Sequence, residues 1–243
     1  MSGLLGELHG RIGRLGREQG FLDARVEVTA RPLAPAEAIG RPEHDDYPII
    51  RGRERMMEAL FEGAAGHAFT DHPGRFSGTL AEVLAMPLAD NFRRAVFLAT
   101  ANAVARRLGL AQRTVHCKDA DLTKCPKELP AFVRAAFGAA RRVFLVGLQP
   151  RFLETLAEGF ELRVTDLDAE NIGRKKAGIP IEPAEAAADC LAWCDAVLAT
   201  GSTLANGSAE ALLGSGKPVA FYGVTCAAAT ALLDLPRFCP LGR

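Results

Sequence analysis

Glycine, hydroxyl and amide side chains are concentrated in the segment Thr200–Ser208, which directly follows the apolar run Ala196–Ala199. Glycine permits close approach to the backbone, and hydroxyl and amide groups beside a helix N-terminus can hold a phosphate, a carboxylate or a polar ring. N-capping by Ser208 or Asn206 alone is the alternative, but it leaves the other groups unexplained. We therefore predict that four residues of this turn bind a ligand: Gly201, Ser202, Thr203 and Asn206.

A second turn, Gly147–Pro150, follows the apolar run Val143–Val146. Pro150 suits the first position of a helix, whose free N–H groups can face an anion, and Gln149 is the candidate ligand-binding side chain. The turn lacks the G-x-G-x-x-G pattern, so ordinary NAD binding is not expected. A plain connection between a strand and a helix is the alternative.

Asp166 and Asp168 follow the strand-like run Glu161–Thr165. As alternate residues at a strand end, both carboxylates can face one side and hold a hydroxyl, an amine or a cation. Asp166 lies about twenty residues after Gly147, where dinucleotide sites often place an acid that binds a ribose. A turn with solvated acids explains the pair equally well.

His116, Cys117 and Cys125 are the candidate metal ligands, for a divalent or soft transition metal. The spacing of the two cysteines does not fit a zinc knuckle, and His116 and Cys117 point in opposite directions if the segment is extended. Cys125 precedes Pro126 and a helical pattern, so a helix dipole is expected to lower the pKa of its thiol. Packing and capping are the alternative roles.

Three other groups call for explanation. Asn102 lies at the edge of an apolar helix face, where its amide needs a partner from the backbone or from a ligand at the domain junction. Cys226 is expected to be buried and inert. The acidic run Glu43–Asp46 could bind a divalent ion, but a polar loop is the default interpretation.

From Arg142 onward, short apolar runs alternate with helical patterns. This alternation predicts a parallel sheet with both faces covered and right-handed connections. We predict a Rossmann-like α/β domain over residues 113–243, and ligands bind such sheets beyond the carboxyl ends of the strands. Predicted elements include strands over Glu161–Thr165 and Pro218–Tyr222 and a helix from Pro183 to about Trp193.

Residues 1–112 read as a smaller α+β domain, with strands followed by helices. The predicted elements are an amphipathic helix over Met1–Gln19, a strand over Leu22–Ala30, a surface loop over Pro32–Pro48, a hairpin with arms Arg55–Glu62 and His67–Thr70, a short helix capped by Thr79 and Glu82, and a helix from Asp90 to about Leu108. A helix is the alternative for the first hairpin arm.

Bulk composition narrows the class of protein. Of 243 residues, 49% are hydrophobic, which suffices for real cores, and 29 basic residues balance 29 acidic ones. The net charge therefore favours neither nucleic acid nor an anionic membrane as a partner. No apolar run reaches the roughly 18 residues of a membrane span, so we expect a cytoplasmic protein with its six cysteines reduced.

Several segments resemble the putative heavy-metal chelation family: Gly66–Thr70, Ala101–Val104, Val143–Pro150 and Ala196–Ser208. The resemblance implies an enolase-N-terminal-like domain followed by a Rossmann-like domain, with a cleft between them. It points to Asn102, Gly201, Ser202 and Asn206 as residues that line this cleft. It assigns a catalytic role to none of them.

Three functions are compatible with these features. The leading hypothesis is that a small polar or anionic ligand binds in the interdomain cleft, with chelation of a soft heavy metal as a possible addition. The rival is an enzyme, a transferase or lyase with a nucleotide-type cofactor, in which Asp166 binds a ribose and Cys117 or Cys125 is the nucleophile. The third is a scaffold that oligomerises through its first domain and binds nothing. A homodimer is the candidate assembly.

Overall fold

The computed structural model describes residues 3–29, 35–52 and 54–243. These ranges form two separate sheets, one with four antiparallel strands and one with seven mostly parallel strands. The mixed α/β fold expected from the sequence is therefore confirmed. We call the antiparallel sheet with its helices the N-terminal module and the parallel sheet with its helices the C-terminal module.

The N-terminal module contains nine elements in the described ranges. They are α1 (Leu4–Glu18), β1 (Arg25–Thr29), α2 (Pro35–Ile39), α3 (Pro48–Arg51), β2 (Arg55–Phe61), β3 (Ala64–Thr70), β4 (Phe76–Thr79), α4 (Leu80–Ala85) and α5 (Asn91–Arg107). The sheet order is β3-β2-β1-β4. The predicted hairpin is confirmed as β2 and β3, which pair from Arg55 opposite Thr70 to Phe61 opposite Ala64, so its first arm is a strand.

Helix α5 lies at the centre of the molecule. The Asp90 carboxylate caps it by accepting a hydrogen bond from Arg93 N at 2.8 Å, and every residue from Ala95 to Ala105 is buried. A helix that is buried all round packs on more than one side. On one side it meets β3 at Gly66, where a Cβ would lie 2.7 Å from Asn102 Cβ, so no larger residue fits this contact.

The predicted surface loop Pro32–Pro48 is partly wrong. Residues 30–34 lie outside the described ranges, but the remainder forms α2 and leads into α3. Ile39 and Tyr47 are almost fully buried and pack in a small core with Met56 and Cys117. This segment is therefore folded against the module because its few apolar residues find a common core, which proline spacing alone does not reveal.

The C-terminal module contains seven strands: β5 (Arg142–Val146), β6 (Glu161–Asp166), β7 (Lys175–Lys176), β8 (Ile179–Pro183), β9 (Ala196–Thr200), β10 (Val219–Tyr222) and β11 (Arg237–Phe238). Their order is β11-β10-β9-β5-β6-β8-β7, and only β7 runs antiparallel to its neighbour. Strands β5, β6, β9 and β10 are predicted from the sequence and found. Strands β7, β8 and β11 are short or proline-containing and were not predicted.

Two helices precede β5, namely α6 (Asp121–Lys124) and α7 (Leu129–Phe137). Five helices lie between the strands: α8 (Pro150–Ala157), α9 (Ala187–Trp193), α10 (Ser202–Asn206), α11 (Ala209–Leu213) and α12 (Ala227–Leu232). The helix predicted from Pro183 begins later, because Pro183 ends β8 and a single 3-10 turn, Ala184–Ala186, precedes α9. None of the helices in the described ranges is both long and apolar enough to cross a bilayer.

The parallel sheet packs differently on its two faces, because side chains alternate along each strand. Val143, Leu145 and Leu198 join a core with α7 and α8. Phe144 and Val197 face the other way and join the large core that contains α5 and the N-terminal sheet. One continuous apolar core therefore links the two modules.

Candidate functional site

Polar side chains from both modules meet at the carboxyl ends of the central parallel strands. The C-terminal module contributes Asp166, Thr200 and Tyr222, the last residues of β6, β9 and β10, together with Ser202 at the start of α10. The N-terminal module contributes Glu54, just before β2. We call these five residues the junction cluster. Such strand ends are where open α/β sheets bind ligands.

The hydroxyl groups of the junction cluster are held by local geometry. Thr200 is the last residue of β9 and Ser202 is the first of α10, and their hydroxyl oxygens lie 2.9 Å apart. Tyr222 Oη, at the end of β10, donates to the carbonyl oxygen of Gly147 at 2.9 Å, past the end of β9, which lies between β10 and β5. Burial raises the pKa of Tyr222 well above its usual value of 10.0, so the phenol stays protonated.

Gly147 makes this close arrangement possible. Its φ is +86°, a left-handed conformation that favours glycine. A Cβ at this position would lie 2.8 Å from Thr200 Cγ2 and 3.2 Å from Tyr222 Oη. The predicted turn after β5 therefore brings its backbone against the hydroxyl groups, and it does so without a G-x-G-x-x-G pattern.

Glu54 has the most unusual electrostatic setting in the cluster. Burial, together with the negative charges of Asp166 and Asp71, raises the pKa of its carboxyl from the ordinary 4.5 to about 7, and the Ser202 hydroxyl opposes this shift. Within the described ranges no Lys, Arg or His forms an ion pair with Glu54. The carboxyl group is thus divided between its protonated and ionised forms near neutral pH.

Asp166 has its oxygens engaged by the backbone. One oxygen accepts a hydrogen bond from Leu148 N at 2.9 Å and the other from Asp168 N at 2.7 Å. Burial nevertheless raises the pKa of Asp166 above its usual range. Asp166 therefore fixes the turns after β5 and β6, while Asp168 accepts from Glu170 N at 3.0 Å in the next turn.

Four other residues predicted to bind a ligand form hydrogen bonds that stabilise the turns in which they lie. Gln149 Oε1 caps α8 by accepting from Phe152 N at 2.8 Å, and the Thr203 hydroxyl donates to Thr200 O at 2.6 Å. Asn206 Oδ1 accepts from Ser208 N at 3.0 Å, and the buried Gly201 donates its N–H to Tyr222 O at 2.9 Å. Of the predicted residues in the turn after β9, Ser202 is the one whose side chain faces Glu54.

Asn102 is buried between the modules, and its amide is fully engaged by the backbone. Its Nδ2 donates to His67 O at 2.8 Å and to two C-terminal-module carbonyls, Val224 O at 3.0 Å and Thr225 O at 3.2 Å. Its Oδ1 accepts from Ala228 N at 2.7 Å. Of the two partners considered for this amide, backbone or ligand, the structure therefore shows the backbone.

The candidate metal ligands lie in an apolar setting. Burial raises the pKa of Cys117 to about 12 and that of Cys125 above its usual 9.0, so the lowered thiol pKa expected for Cys125 is wrong. Cys125 begins a 3-10 turn between two helices and packs against Leu129 and neighbouring apolar residues, where no isolated helix N-terminus stabilises a thiolate.

His116 is also neutral. Burial lowers its pKa to about 4, and its Nδ1 lies 2.7 Å from Cys117 O. In the described part of the chain no three His, Cys, Asp or Glu side chains are grouped to hold a metal ion. The three predicted ligands are therefore not arranged as a preformed metal site.

Sequence reasoning missed Glu54, Thr200 and Tyr222. Glu54 lies in the charged run Arg51–Arg55, which precedes a strand. Such a run predicts a solvent-exposed loop. Tyr222 reads as the end of an apolar strand. Of the three, only Thr200 could have been found from the sequence, because it begins the glycine- and hydroxyl-rich turn. The positions of Glu54 and Tyr222 in the cluster depend on how the two modules pack together.

Comparison with known proteins agrees with this architecture. Residues 133–236 match the model of the family DUF364, described as putative heavy-metal chelation, so the resemblance inferred from the sequence is confirmed over this segment. No curated protein matches the chain significantly.

Two crystal structures of DUF364-family proteins of unknown function share the fold. The protein from Pyrococcus horikoshii has 16% identity and a TM-score of 0.56, over 90% of this chain and 78% of that chain. The protein from Desulfitobacterium hafniense DCB-2 has 14% identity and a TM-score of 0.55, over 93% of this chain and 82% of that chain.

Proposed function

We propose that this protein binds a small polar ligand at the junction cluster, with Glu54 as the principal recognition group. The observation that carries the proposal is the Glu54 carboxyl itself, which is placed against Ser202 among other acids and has no cationic partner in the described ranges. Glu54 is partly buried, and a desolvated carboxylate without a cationic partner is costly; strongly perturbed carboxyl groups concentrate at functional sites. A ligand that donates hydrogen bonds would remove this cost.

The chemistry of the cluster narrows the expected ligand. Glu54, Asp166 and Asp71 bring three carboxyl groups within electrostatic range of one another, which disfavours an anionic group at this position. Amines, hydroxyl groups and hard cations suit carboxylate and hydroxyl oxygens, whereas soft heavy metals prefer thiolates. We therefore narrow the polar or anionic ligand expected from the sequence to one that presents an ammonium or hydroxyl group to Glu54.

An enzymatic role is the second candidate, and one observation favours it. A carboxyl group with a pKa of about 7 suits general acid–base catalysis at neutral pH. A cysteine nucleophile is disfavoured, because burial raises the pKa of Cys117 to about 12 and leaves its thiol protonated. In a catalytic version of this site Glu54 would transfer the proton and Ser202 would orient the ligand.

A thermal-shift screen of the full chain tests the proposal with four probe classes: amines, polyols, nucleosides and magnesium chloride. Specific binding to the native state raises the melting temperature by mass action, and we expect at least one class to raise it by about 2 °C or more. Glu54→Gln and Ser202→Ala should each remove that shift.

Glu158→Gln is the matched control, since it removes an exposed carboxylate at the end of α8, outside the cluster, and should keep the shift. Glu54→Gln keeps the size of the side chain, so its own melting temperature shows whether it folds. The proposal is wrong if no probe class stabilises the wild type, or if the shift survives in Glu54→Gln.

A further inference from the structure

A cavity of about 250 Å³ lies between the segment that leads to β2 and the turn and hairpin that follow β6. The N-terminal module lines it with Asp46, Pro48, Arg51 and Gly52. The C-terminal module contributes residues from the turn after β5 and from the range 168–181. We call this space the hairpin cavity. Its volume is smaller than that of pockets for drug-sized ligands, which span roughly 300–1,000 Å³.

An ion-pair network forms one wall of the hairpin cavity. Asp46 Oδ2 lies 2.7 Å from both Arg151 Nη2 and Lys176 Nζ, and Glu154 Oε1 lies 3.0 Å and 2.9 Å from the same two nitrogens. These four charges neutralise one another and tie the N-terminal module to α8 and β7. They are therefore held in place by one another, although Asp46 Oδ1 and Arg151 Nε are buried without a hydrogen-bond partner in the described ranges.

Four other charges on the cavity lining make no such pairs. Arg174 and Lys175 lie on the hairpin, Asp168 and Glu170 lie in the turn before it, and in the described ranges none of them has an oppositely charged atom within ion-pair distance. Arg51, by contrast, is paired with Asp45 at 2.8 Å. Arg174, Lys175 and Glu170 are exposed at the rim of the cavity and Asp168 is half-buried, so two cations and two carboxylates are accessible to a ligand that enters from solvent.

The same cavity has an apolar part. Leu148 and Ile181 line it and are 8% and 4% exposed, and Pro150 lies beside them at the start of α8. Binding pockets commonly combine an apolar surface with a few polar groups that fix the ligand's orientation. A ligand with a short apolar body and charged groups of both signs matches this lining.

We propose that the hairpin cavity binds a zwitterionic small molecule of the amino-acid type. Arg174 and Lys175 hold its carboxylate, Asp168 and Glu170 hold its ammonium group, and its side chain contacts Leu148 and Ile181. Guanidinium and carboxylate groups form charge-assisted hydrogen bonds, which give such a site selectivity for both ends of the ligand. This proposal does not depend on the role of Glu54.

The test is binding of the standard free amino acids to the full chain at low ionic strength, first by thermal shift at about 10 mM and then by calorimetry. We expect at least one amino acid to raise the melting temperature by roughly 2 °C. Its N-acetyl and carboxamide derivatives should each bind about tenfold more weakly, because each lacks one of the two charges.

Two double variants locate the site. Arg174→Gln with Lys175→Gln should weaken binding at least about tenfold, whereas Lys124→Gln with Lys127→Gln, which removes two exposed cations elsewhere, should not change it. Glu54→Gln should also leave amino-acid binding intact, which separates this proposal from the preceding one. The proposal is overturned if no amino acid binds, if both derivatives bind as well as the parent, or if both double variants behave alike.

Discussion

Asn102 and Glu54 both lie where the two modules meet, but their surroundings are opposite. Every hydrogen-bonding atom of the Asn102 amide is used, by His67 on one side and by Val224, Thr225 and Ala228 on the other. Glu54 faces a hydroxyl group and other acids and has no cationic partner in the described residues.

This difference separates a polar residue whose hydrogen bonds are complete from one that we propose binds a ligand. A buried polar group with all its partners stabilises one arrangement of the chain, whereas a buried group without them retains its capacity for a ligand or a proton. Asn102 was a reasonable ligand candidate from the sequence because it is polar on an apolar helix. The sequence does not give the hydrogen-bond partners. Once these are known, Glu54 becomes a better candidate for ligand binding than Asn102.

The largest effect is expected for Asn102→Ala. The substitution leaves three carbonyl groups and the Ala228 N–H without their side-chain partner at the junction. Buried polar groups left unsatisfied cost about 1–3 kcal/mol each, so we expect the free energy of unfolding to fall by roughly 3 kcal/mol or more. Urea denaturation followed by circular dichroism measures this loss.

Gln112→Ala is the control, because Gln112 is exposed at the surface. It should change the free energy of unfolding by less than about 0.5 kcal/mol. A loss below about 1 kcal/mol in Asn102→Ala would show that water replaces the amide, and that the two junction residues differ less than their contacts indicate.

Glu54→Gln is expected to have a smaller effect on the free energy of unfolding, and to raise it relative to the wild type at higher pH. The folded pKa of about 7 exceeds the ordinary value of 4.5, so the folded protein binds more protons than the unfolded chain between these values. This contribution to stability is fully present below pH 4.5 and is lost as the pH rises through about 7. The variant should therefore gain stability relative to the wild type between pH 5 and pH 8.

Urea midpoints of both proteins at the two pH values measure this relative gain, and other titrating groups cancel in the comparison. Gln112→Ala, which changes no titratable group, should show no such change with pH. If the difference between wild type and Glu54→Gln is the same at both pH values, Glu54 titrates normally and is no more perturbed than a surface acid.

The ion-pair network beside the hairpin cavity is intermediate between Asn102 and Glu54. Its charges have partners, as Asn102 does, but they are partly exposed to solvent. Asp46→Asn removes the negative charge shared by Arg151 and Lys176, and Glu154 still partners both cations. We expect a loss of about 1–2 kcal/mol that decreases at high salt. A loss that does not change between low and high salt would mean that hydrogen bonding, not charge, ties the modules here.

The smallest expected signal is the reaction of the native thiols with Ellman's reagent. Burial raises the pKa of Cys117, Cys190 and Cys226 to about 12, and all three are inaccessible. We expect only Cys239, which is half-buried, to react in the native protein at pH 8, and to react slowly because burial raises the pKa of its thiol as well; all six cysteines should react after denaturation. Fast reaction of Cys117 or Cys125 in the native protein would restore the cysteine-nucleophile hypothesis.

Much of the fold follows from local sequence patterns. Alternating or continuous apolar runs predict β2, β5, β6, β9 and β10, and the capping residues Thr79 and Asp90 mark the starts of α4 and α5. Both caps depend on residues three positions apart, so they can be recognised without the tertiary structure.

The rest depends on contacts between distant segments. Ile39 and Tyr47 are buried by Met56 and Cys117, which no local pattern shows. The two-residue strand β11 exists only because β10 lies next to it. For the site, the sequence identifies Ser202 and Asp166 as residues at strand ends, but it cannot show that Glu54, from a different sheet, is folded over them.

The burial of α5 on all sides has a thermodynamic consequence. Because apolar residues of both sheets share one core around this helix, neither module can separate from the other without exposing a large apolar surface. The two sheets should therefore melt in a single cooperative transition, with equal calorimetric and van't Hoff enthalpies, although the chain has two sheets of different topology.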